Sequence, residues 1–237
     1  MKILSLECSA KSASCAITEN GKVKGSDFTI AGLTHSQTLL PMVSALLSKT
    51  KISIKGIDAF AVSAGPGSFT GVRIGISALK GMALPYNTPC IPVSTLSAIA
   101  ENFRSKDALI CAVMDARCNQ VYSALFRVKN NTVTRLCPDR AVKSEELAQE
   151  LMKSRVRCPI IIAGDGAEVF FPYIANKKNA VLAEESMRYQ NGIGVALAAE
   201  ESYKNGEFKD AIQILPIYLR LPQAERELKE KLRREKQ

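Results

Sequence analysis

The sequence contains no tryptophan and a single histidine, His35, in 237 residues. One imidazole excludes a His-based zinc site and any acid–base scheme that needs two histidines. The seven cysteines (Cys8, Cys15, Cys90, Cys111, Cys118, Cys137 and Cys158) are odd in number and widely spaced. No two form a Cys-x-x-Cys pair, so neither a disulfide framework nor a zinc clamp is indicated, and they read as reduced thiols. Cys15, Cys111 and Cys158 lie in or beside apolar runs, where a free thiol packs as a small hydrophobe. Long apolar runs are missing too. No stretch approaches the roughly 20 residues needed to cross a bilayer, and the run 57–64 ends at a Gly-Pro-Gly turn. The opening Met1-Lys2-Ile3-Leu4-Ser5-Leu6-Glu7 meets an acid before any export signal could develop. The expectation is a soluble, cytoplasmic protein without a membrane partner.

The composition, 46% hydrophobic and 23% charged, is that of a globular chain. A formal net charge of +9 favours an anionic partner such as RNA, although the same excess also simply keeps a protein in solution. Basic residues at Arg127, Lys129, Arg135 and Lys143, and Arg233-Arg234 near the end, are candidates for such contacts. Solvated surface charge is the better explanation of each, so no RNA-contact residue is assigned.

Alternation and short apolar runs predict strands over 3–7, 14–18 and 23–30 around the turn Asn20-Gly21, a three-stranded antiparallel opening. The apolar spacing at Leu39, Met42, Val43, Leu46 and Leu47 predicts a helix. Pro41 suits it if Thr38 is the N-cap, whereas a start at Ser36 puts the proline deeper. A buried strand over 57–64, a glycine-rich turn and a helix over 72–84 stopped by Pro85 come next, then a strand over 90–93 and a helix capped by Ser94. Beyond the polar break Ser105-Lys106-Asp107, strands over 109–114, 120–128 and 132–137 repeat the opening pattern. A helix over 144–153, a strand over 159–163 and an Ala-rich helix over 192–204 complete a second unit. The boundaries expected are 1–104 for the first lobe, 105–221 for a second, degenerate lobe, and 222–237 for a charged tail. Two related α/β halves are the simplest reading.

The most specific segment is Gly65-Pro66-Gly67-Ser68-Phe69-Thr70-Gly71-Val72-Arg73-Ile74-Gly75, which joins a strand to a helix. A helix N-terminus and Arg73 in its first turn could hold an anion, with Gly65, Gly67, Ser68 and Thr70 as the loop. The segment has no Gly-Lys-Ser/Thr, and its glycines miss the dinucleotide spacing by one residue. A tight turn with Ser68 or Thr70 as cap is therefore preferred. Within the helix, Gly71, Gly75, Ala78 and Gly81 form a small-residue strip against which another backbone packs, from a second subunit or from the protein itself. Glu7 and Asp115 end the opening strands of the two halves and could flank a metal-nucleotide in a cleft. The segments after these acids, Cys8-Ser9-Ala10-Lys11 and Ala116-Arg117-Cys118, lack the glycines that let a hairpin approach phosphate.

The order of these motifs resembles the bacterial TsaB (YeaZ) family over nearly the whole chain. The resemblance rests on the 65–75 block, His35-Ser36-Gln37 with Leu40-Pro41, Val93-Ser94-Thr95-Leu96, Asp115-Ala116-Arg117 with Val121-Tyr122, Gly164-Asp165-Gly166 and Pro216-Ile217-Tyr218-Leu219-Arg220. Glu7-Cys8 departs from the Asp-Thr usual in that family, which weakens any nucleotide role inferred from Glu7. The resemblance implies an α/β fold of the two-lobed actin-like, sugar-kinase and Hsp70 (ASKHA) type, each lobe a mixed sheet with helices. It implies a non-catalytic subunit that pairs with a TsaD-like threonylcarbamoyltransferase acting on adenosine 37 of ANN-decoding tRNAs, joined by a TsaE-like ATPase, and a homodimer when alone. The pairing surface expected is Leu39, Leu40, Val43 and Leu47 of the first helix with Gly71, Ile74, Gly75, Ala78 and Met82 of the second. No catalytic residue, metal or cofactor is expected. The competing reading is an actin-like ATPase or kinase using Glu7, Asp115 and the 65–75 loop; a metal-dependent endopeptidase is remote with one histidine.

Overall fold

The computed structural model describes residues 1–30 and 34–220. The expected charged tail, with Arg233 and Arg234, lies outside the described residues. The chain opens with three antiparallel strands, β1 (Lys2–Glu7), β2 (Ala13–Glu19) and β3 (Lys22–Thr29). Helix α1 (His35–Thr50) then leads to β4 (Ala59–Gly65), α2 (Phe69–Ala83), β5 (Cys90–Ser94) and α3 (Thr95–Glu101). The second round is β6 (Ala108–Asp115), β7 (Gln120–Lys129), β8 (Thr132–Arg135), β9 (Arg140–Lys143), α4 (Ser144–Lys153), β10 (Ile160–Ala163), α5 (Ala167–Phe170) and β11 (Ala180–Leu182). Helices α6 (Glu185–Arg188) and α7 (Gly192–Lys204) close the series.

The duplication expected from sequence is explicit in the strand order. The first sheet runs β3-β2-β1-β4-β5 and the second β8-β7-β6-β10-β11, with β9 also paired to β7. In each, two antiparallel pairings are followed by two parallel ones. Strand β4 is buried along its whole length, which is why it reads as a continuous apolar run rather than an alternation. Its first two predicted residues, Ile57 and Asp58, precede the strand. At the edge, β3 is mostly exposed and carries Lys22, Lys24 and Asp27, charges that discourage strand addition.

The layers are α1 and α2, the first sheet, α3 with α7, the second sheet, and α4 with α5. One core joins Leu39, Val43, Val72, Ile76 and Leu79 to β1, β2 and β4. Another joins Val195, Ala196 and Ala199 of α7 to Ile3, Ala61 and Ile91. Leu96, Ile99 and Phe103 turn the other way, onto β6 and β7. Helix α3 thus serves both lobes. Helix α7, expected to complete the second unit, packs on the first sheet. Its small residues allow this: a Cβ on Gly192 would lie 2.7 Å from the Cys15 carbonyl carbon, and one on Gly194 would lie 2.1 Å from the Ala98 oxygen.

The start of the first helix also differs from expectation. Helix α1 starts at His35 rather than after Thr38, because the N–H groups of Gln37 and Thr38 both bond to the Thr34 carbonyl, at 3.0 and 3.2 Å, and close a first turn there. Pro41 therefore sits inside the helix. It is exposed, as is Gln37, whose carbonyl loses its helical partner on the side where water replaces it. Of the two caps expected for α2, Ser68 and Thr70, it is Ser68 that serves, its hydroxyl accepting from the Gly71 N–H at 3.3 Å.

Candidate functional site

The carboxyl ends of β1 and β4 face those of β6 and β10 across a cleft of about 570 Å³, lined among others by Ser9, Lys11, Thr70, Asp115, Arg117 and Asp165. This is where open α/β sheets place ligands. The structure brings together here the two acids singled out from sequence, but in different states. Glu7 is fully buried and accepts from the Ser9 N–H and hydroxyl, both at 2.6 Å, and from the Ser63 hydroxyl. Burial pushes its carboxyl above the ordinary carboxylate range, against those three bonds. Asp115 is exposed and accepts from the Arg117 N–H at 2.7 Å. A third acid, Asp165, comes after β10 in Gly164-Asp165-Gly166. Burial first, then the Asp115 charge, raises its pKa to about 7. Its Oδ1 has no hydrogen-bond partner among the described residues. The signal that could have marked it is Gly-x-Gly after a strand, the second-lobe counterpart of Gly65-Pro66-Gly67.

The 65–75 loop packs against its own chain. The Ser68 N–H bonds to the Ser9 carbonyl at 2.6 Å, and a Cβ on Gly67 would lie 2.4 Å from the same oxygen. The loop is packed onto the turn after β1, with Thr70 alone of its polar side chains shared by the cleft and the α1–α2 surface. Arg73 does not point at the loop. Its Nε donates to the Tyr218 hydroxyl at 2.6 Å, and its guanidinium lies over that ring, which stacks on Phe69 with centroids 4.4 Å apart. Tyr218 belongs to a strap. The Ile217 N–H bonds to the Ala64 carbonyl at 2.7 Å, and Arg220 donates to the Ala116 carbonyl, so this segment ties the first lobe to the second. In the opposite hairpin, Arg117, Cys118 and Asn119 all have positive φ, 61°, 53° and 55°, a left-handed turn made without glycine.

The residues expected to form a pairing surface divide by burial. Leu39, Val43 and Met82 belong to the first core. Gly71 and Gly75 face inward: a Cβ on Gly71 would lie 2.0 Å from the Cys8 oxygen, and one on Gly75 would lie 2.7 Å from Cys8 Sγ. The backbone that approaches this part of the strip is the protein's own. Leu40 is 49% exposed, and Leu47, Ile74 and Ala78 are partly exposed. With His35, Ser36, Arg73 and Ser77, three of these (Leu40, Ile74 and Ala78) line a groove of about 540 Å³ between α1 and α2. His35 itself opens α1 with Nε2 2.7 Å from the Ala10 carbonyl, a structural contact.

Cys8, Cys15, Cys90 and Cys111 are buried, and all seven cysteines are free. Burial raises the thiols of the four buried ones, to about 12 for Cys15 and Cys111 and about 11 for Cys90, which makes these four inert packing residues. Among the described residues no group of three His, Cys, Asp or Glu side chains is arranged to hold a metal, and no helix is long and apolar enough to cross a membrane.

Two lobes of one duplicated strand order, meeting at a cleft formed by their strand ends, define a two-lobed actin-like α/β protein. That fold is shared with the Acidaminococcus fermentans (R)-2-hydroxyglutaryl-CoA dehydratase component A (TM-score 0.50, 12% identity, 86% of this chain and 98% of that one). The chain belongs to the TsaB proteins, within the wider family whose model, described as "TsaD: tRNA N6-adenosine threonylcarbamoyltransferase", matches residues 22–228. It is 30% identical to the tRNA threonylcarbamoyladenosine biosynthesis protein TsaB of Escherichia coli K12, over 93% of this chain and 95% of that protein. Its identity to the Bacillus subtilis 168 protein of the same name is 29%, over 95% and 96%. YeaZ from Pseudomonas aeruginosa superposes with a TM-score of 0.77 at 26% identity, covering 92% of this chain and 99% of that one.

Proposed function

We propose that this protein is a supporting subunit in tRNA threonylcarbamoyladenosine biosynthesis, pairing with a TsaD-like catalytic subunit and leaving the chemistry to it. In this reading it works in the cytoplasm, a TsaE-like ATPase joins the pair, tRNA meets the assembled complex, and the protein forms a homodimer when alone. The observation that carries the reading is the α1–α2 face. Leu40, Leu47, Ile74 and Ala78 present apolar surface beside a groove, while the same helices are anchored from below by Leu39, Val43 and Leu79. A rigid ridge with exposed apolar knobs suits helix-on-helix packing.

The test is co-expression with a TsaD-like subunit and size exclusion of the pair. Leu40→Glu and Ile74→Glu are expected to weaken pairing at least tenfold, with the folding stability of Leu40→Glu unchanged within about 0.5 kcal/mol. A wild-type chain that elutes alone beside its partner defeats the proposal.

A second reading, a nucleotide-binding ATPase or kinase, has one observation in its favour: Asp115 and Asp165 face the cleft. Against it, the turn after β1 carries no glycine and its Ser9 is bound to Glu7 and to the Ser68 N–H. Titration with magnesium-ATP separates the two, because nucleotide held at 100 times its Kd stabilises by about 2.7 kcal/mol. The supporting-subunit reading expects no such shift.

A further inference from the structure

Most basic side chains in this protein that lie near acids are used locally. Arg135 pairs with Asp139 and lies over Phe126, Arg140 pairs with Glu150, Lys143 with Glu146 and Arg188 with Glu168. At the end of the second lobe farthest from the cleft, cations without an acid partner cluster along one rim. Two connectors meet there, the one between α4 and β10 and the one before β11. Lys153 ends α4, and Arg155, Arg157, Lys177 and Lys178 lie on the connectors, all five exposed but the partly exposed Lys177. Among the described residues none of the five is in an ion pair.

The connectors are stitched together. Lys177 Nζ donates to the Met152 and Ser154 carbonyls at 3.4 and 3.2 Å. Asn179 Nδ2 donates to the Val156 and Cys158 carbonyls at 3.0 and 2.7 Å. Both connectors then enter adjacent parallel strands, the Ile160 N–H bonding to the Asn179 carbonyl at 2.7 Å. The backbone under the cations is therefore fixed, which lowers the ordering cost of binding. Tyr173, 38% exposed, stands four residues before Lys177.

We infer that this basic end of the second lobe binds the phosphate backbone of RNA. The inference rests on the proposed function only for the expectation that the RNA is tRNA. Five unneutralised cations on a rigid rim attract a polyanion, Arg155 and Arg157 offer planar forks that match phosphate oxygens, and an exposed aromatic ring gives an unpaired base a face to stack on. An anionic membrane fits less well. Helix α4 beside the patch turns Leu147, Ala148 and Leu151 into the core, leaves Met152 as its one exposed large apolar residue, and exposes Glu145, Glu146 and Glu150. A flat anionic surface meets those acids, whereas a narrow phosphate chain passes them.

The test uses the full-length chain and a fluorescent, unmodified tRNA transcript, with anisotropy read over a series of salt concentrations. The double reversal Arg155→Glu/Lys178→Glu is compared with Lys22→Glu/Lys209→Glu, which makes the same change of charge at exposed positions of the first lobe. The patch variant should bind more than tenfold more weakly, with the slope of log K against log salt reduced by about 1.5; the control should change less than twofold. Matching thermal melts of both variants exclude a folding defect. Equal losses in the two variants reduce the effect to net charge and overturn the inference. So does the absence of RNA binding by wild type, or binding to phosphatidylglycerol vesicles in its place. Pairing with a TsaD-like subunit is read separately by size exclusion: intact pairing without RNA binding sinks this inference alone, and the converse result sinks only the functional proposal.

Discussion

The two lobes carry the same strand order, and comparing equivalent positions separates what the order dictates from what the residues decide. Strands β1 and β6 each end in an acid at the cleft. Glu7 is sealed inside by Ser9 and Ser63, whereas Asp115 faces solvent beside Arg117. Strands β4 and β10 each lead into a glycine with positive φ, 119° at Gly65 and 112° at Gly164. A Cβ on Gly65 would lie 2.3 Å from the Ile217 oxygen, on the strap; one on Gly164 would lie 1.9 Å from the Val113 oxygen, inside β6. The first lobe has closed its strand ends with its own chain, and the second has left its acids open to the cleft. Topology sets where a site can be, and side chains decide whether one is there.

The largest effect expected comes from those glycines. Gly164→Ala forces a side chain against a central strand of the second sheet and demands a backbone conformation L-residues rarely adopt. It should cost on the order of 3–5 kcal/mol. Gly65→Ala meets only the strap, which can lift, so about 1–3 kcal/mol is expected. Urea unfolding midpoints measure both. Equal losses would mean the strap is as rigid as a core strand, and the asymmetry between the lobes would be gone.

The acids sharpen the comparison through pH. Asp165 has its pKa raised from 3.8 to about 7. A raised folded-state pKa means the native state holds its proton more tightly than the unfolded chain. The associated stability is full below about pH 4 and is lost as pH rises towards 7. Wild type should therefore lose roughly 2–4 kcal/mol between pH 4 and pH 8 from this group, and Asp165→Asn should flatten that part of the profile. Glu7, also raised by burial, contributes a fall of the same sign. A flat wild-type profile over this window would show that both acids are better solvated than their burial indicates.

Much of this architecture was legible in the sequence because its signals are local. Asn20-Gly21 marks the first hairpin, Ser68 and Ser94 cap their helices as expected, and the helices over 144–153 and 192–204 match in both bounds. What was not legible depends on the third dimension. The short strands β9 and β11 carry too few residues for a period to show. The side on which α7 lands is set by Gly192 and Gly194 meeting backbone distant in sequence. Asp165 becomes a cleft acid only once β10 lies beside β6. The strap of Ile217, Tyr218 and Arg220 was visible as a motif, but its role depends on partners more than 100 residues away.

The smallest prediction uses the strip itself. Along α2, Gly71, Gly75 and Gly81 are alike as letters, and period arguments cannot say which is needed for close approach. The first two meet Cys8, but a Cβ on Gly81 has nothing within 4 Å, and its position is exposed with ordinary helical backbone. Gly81→Ala should therefore stabilise the protein by about 0.5–1 kcal/mol, by restricting the unfolded chain and favouring the helix. Gly75→Ala should destabilise it, because Cys8 Sγ must give way. Paired denaturation curves check both signs. If Gly81→Ala gains nothing in stability but disturbs pairing with a TsaD-like subunit, this glycine is kept open for a partner's backbone, and the pairing surface extends further along α2 than Ala78.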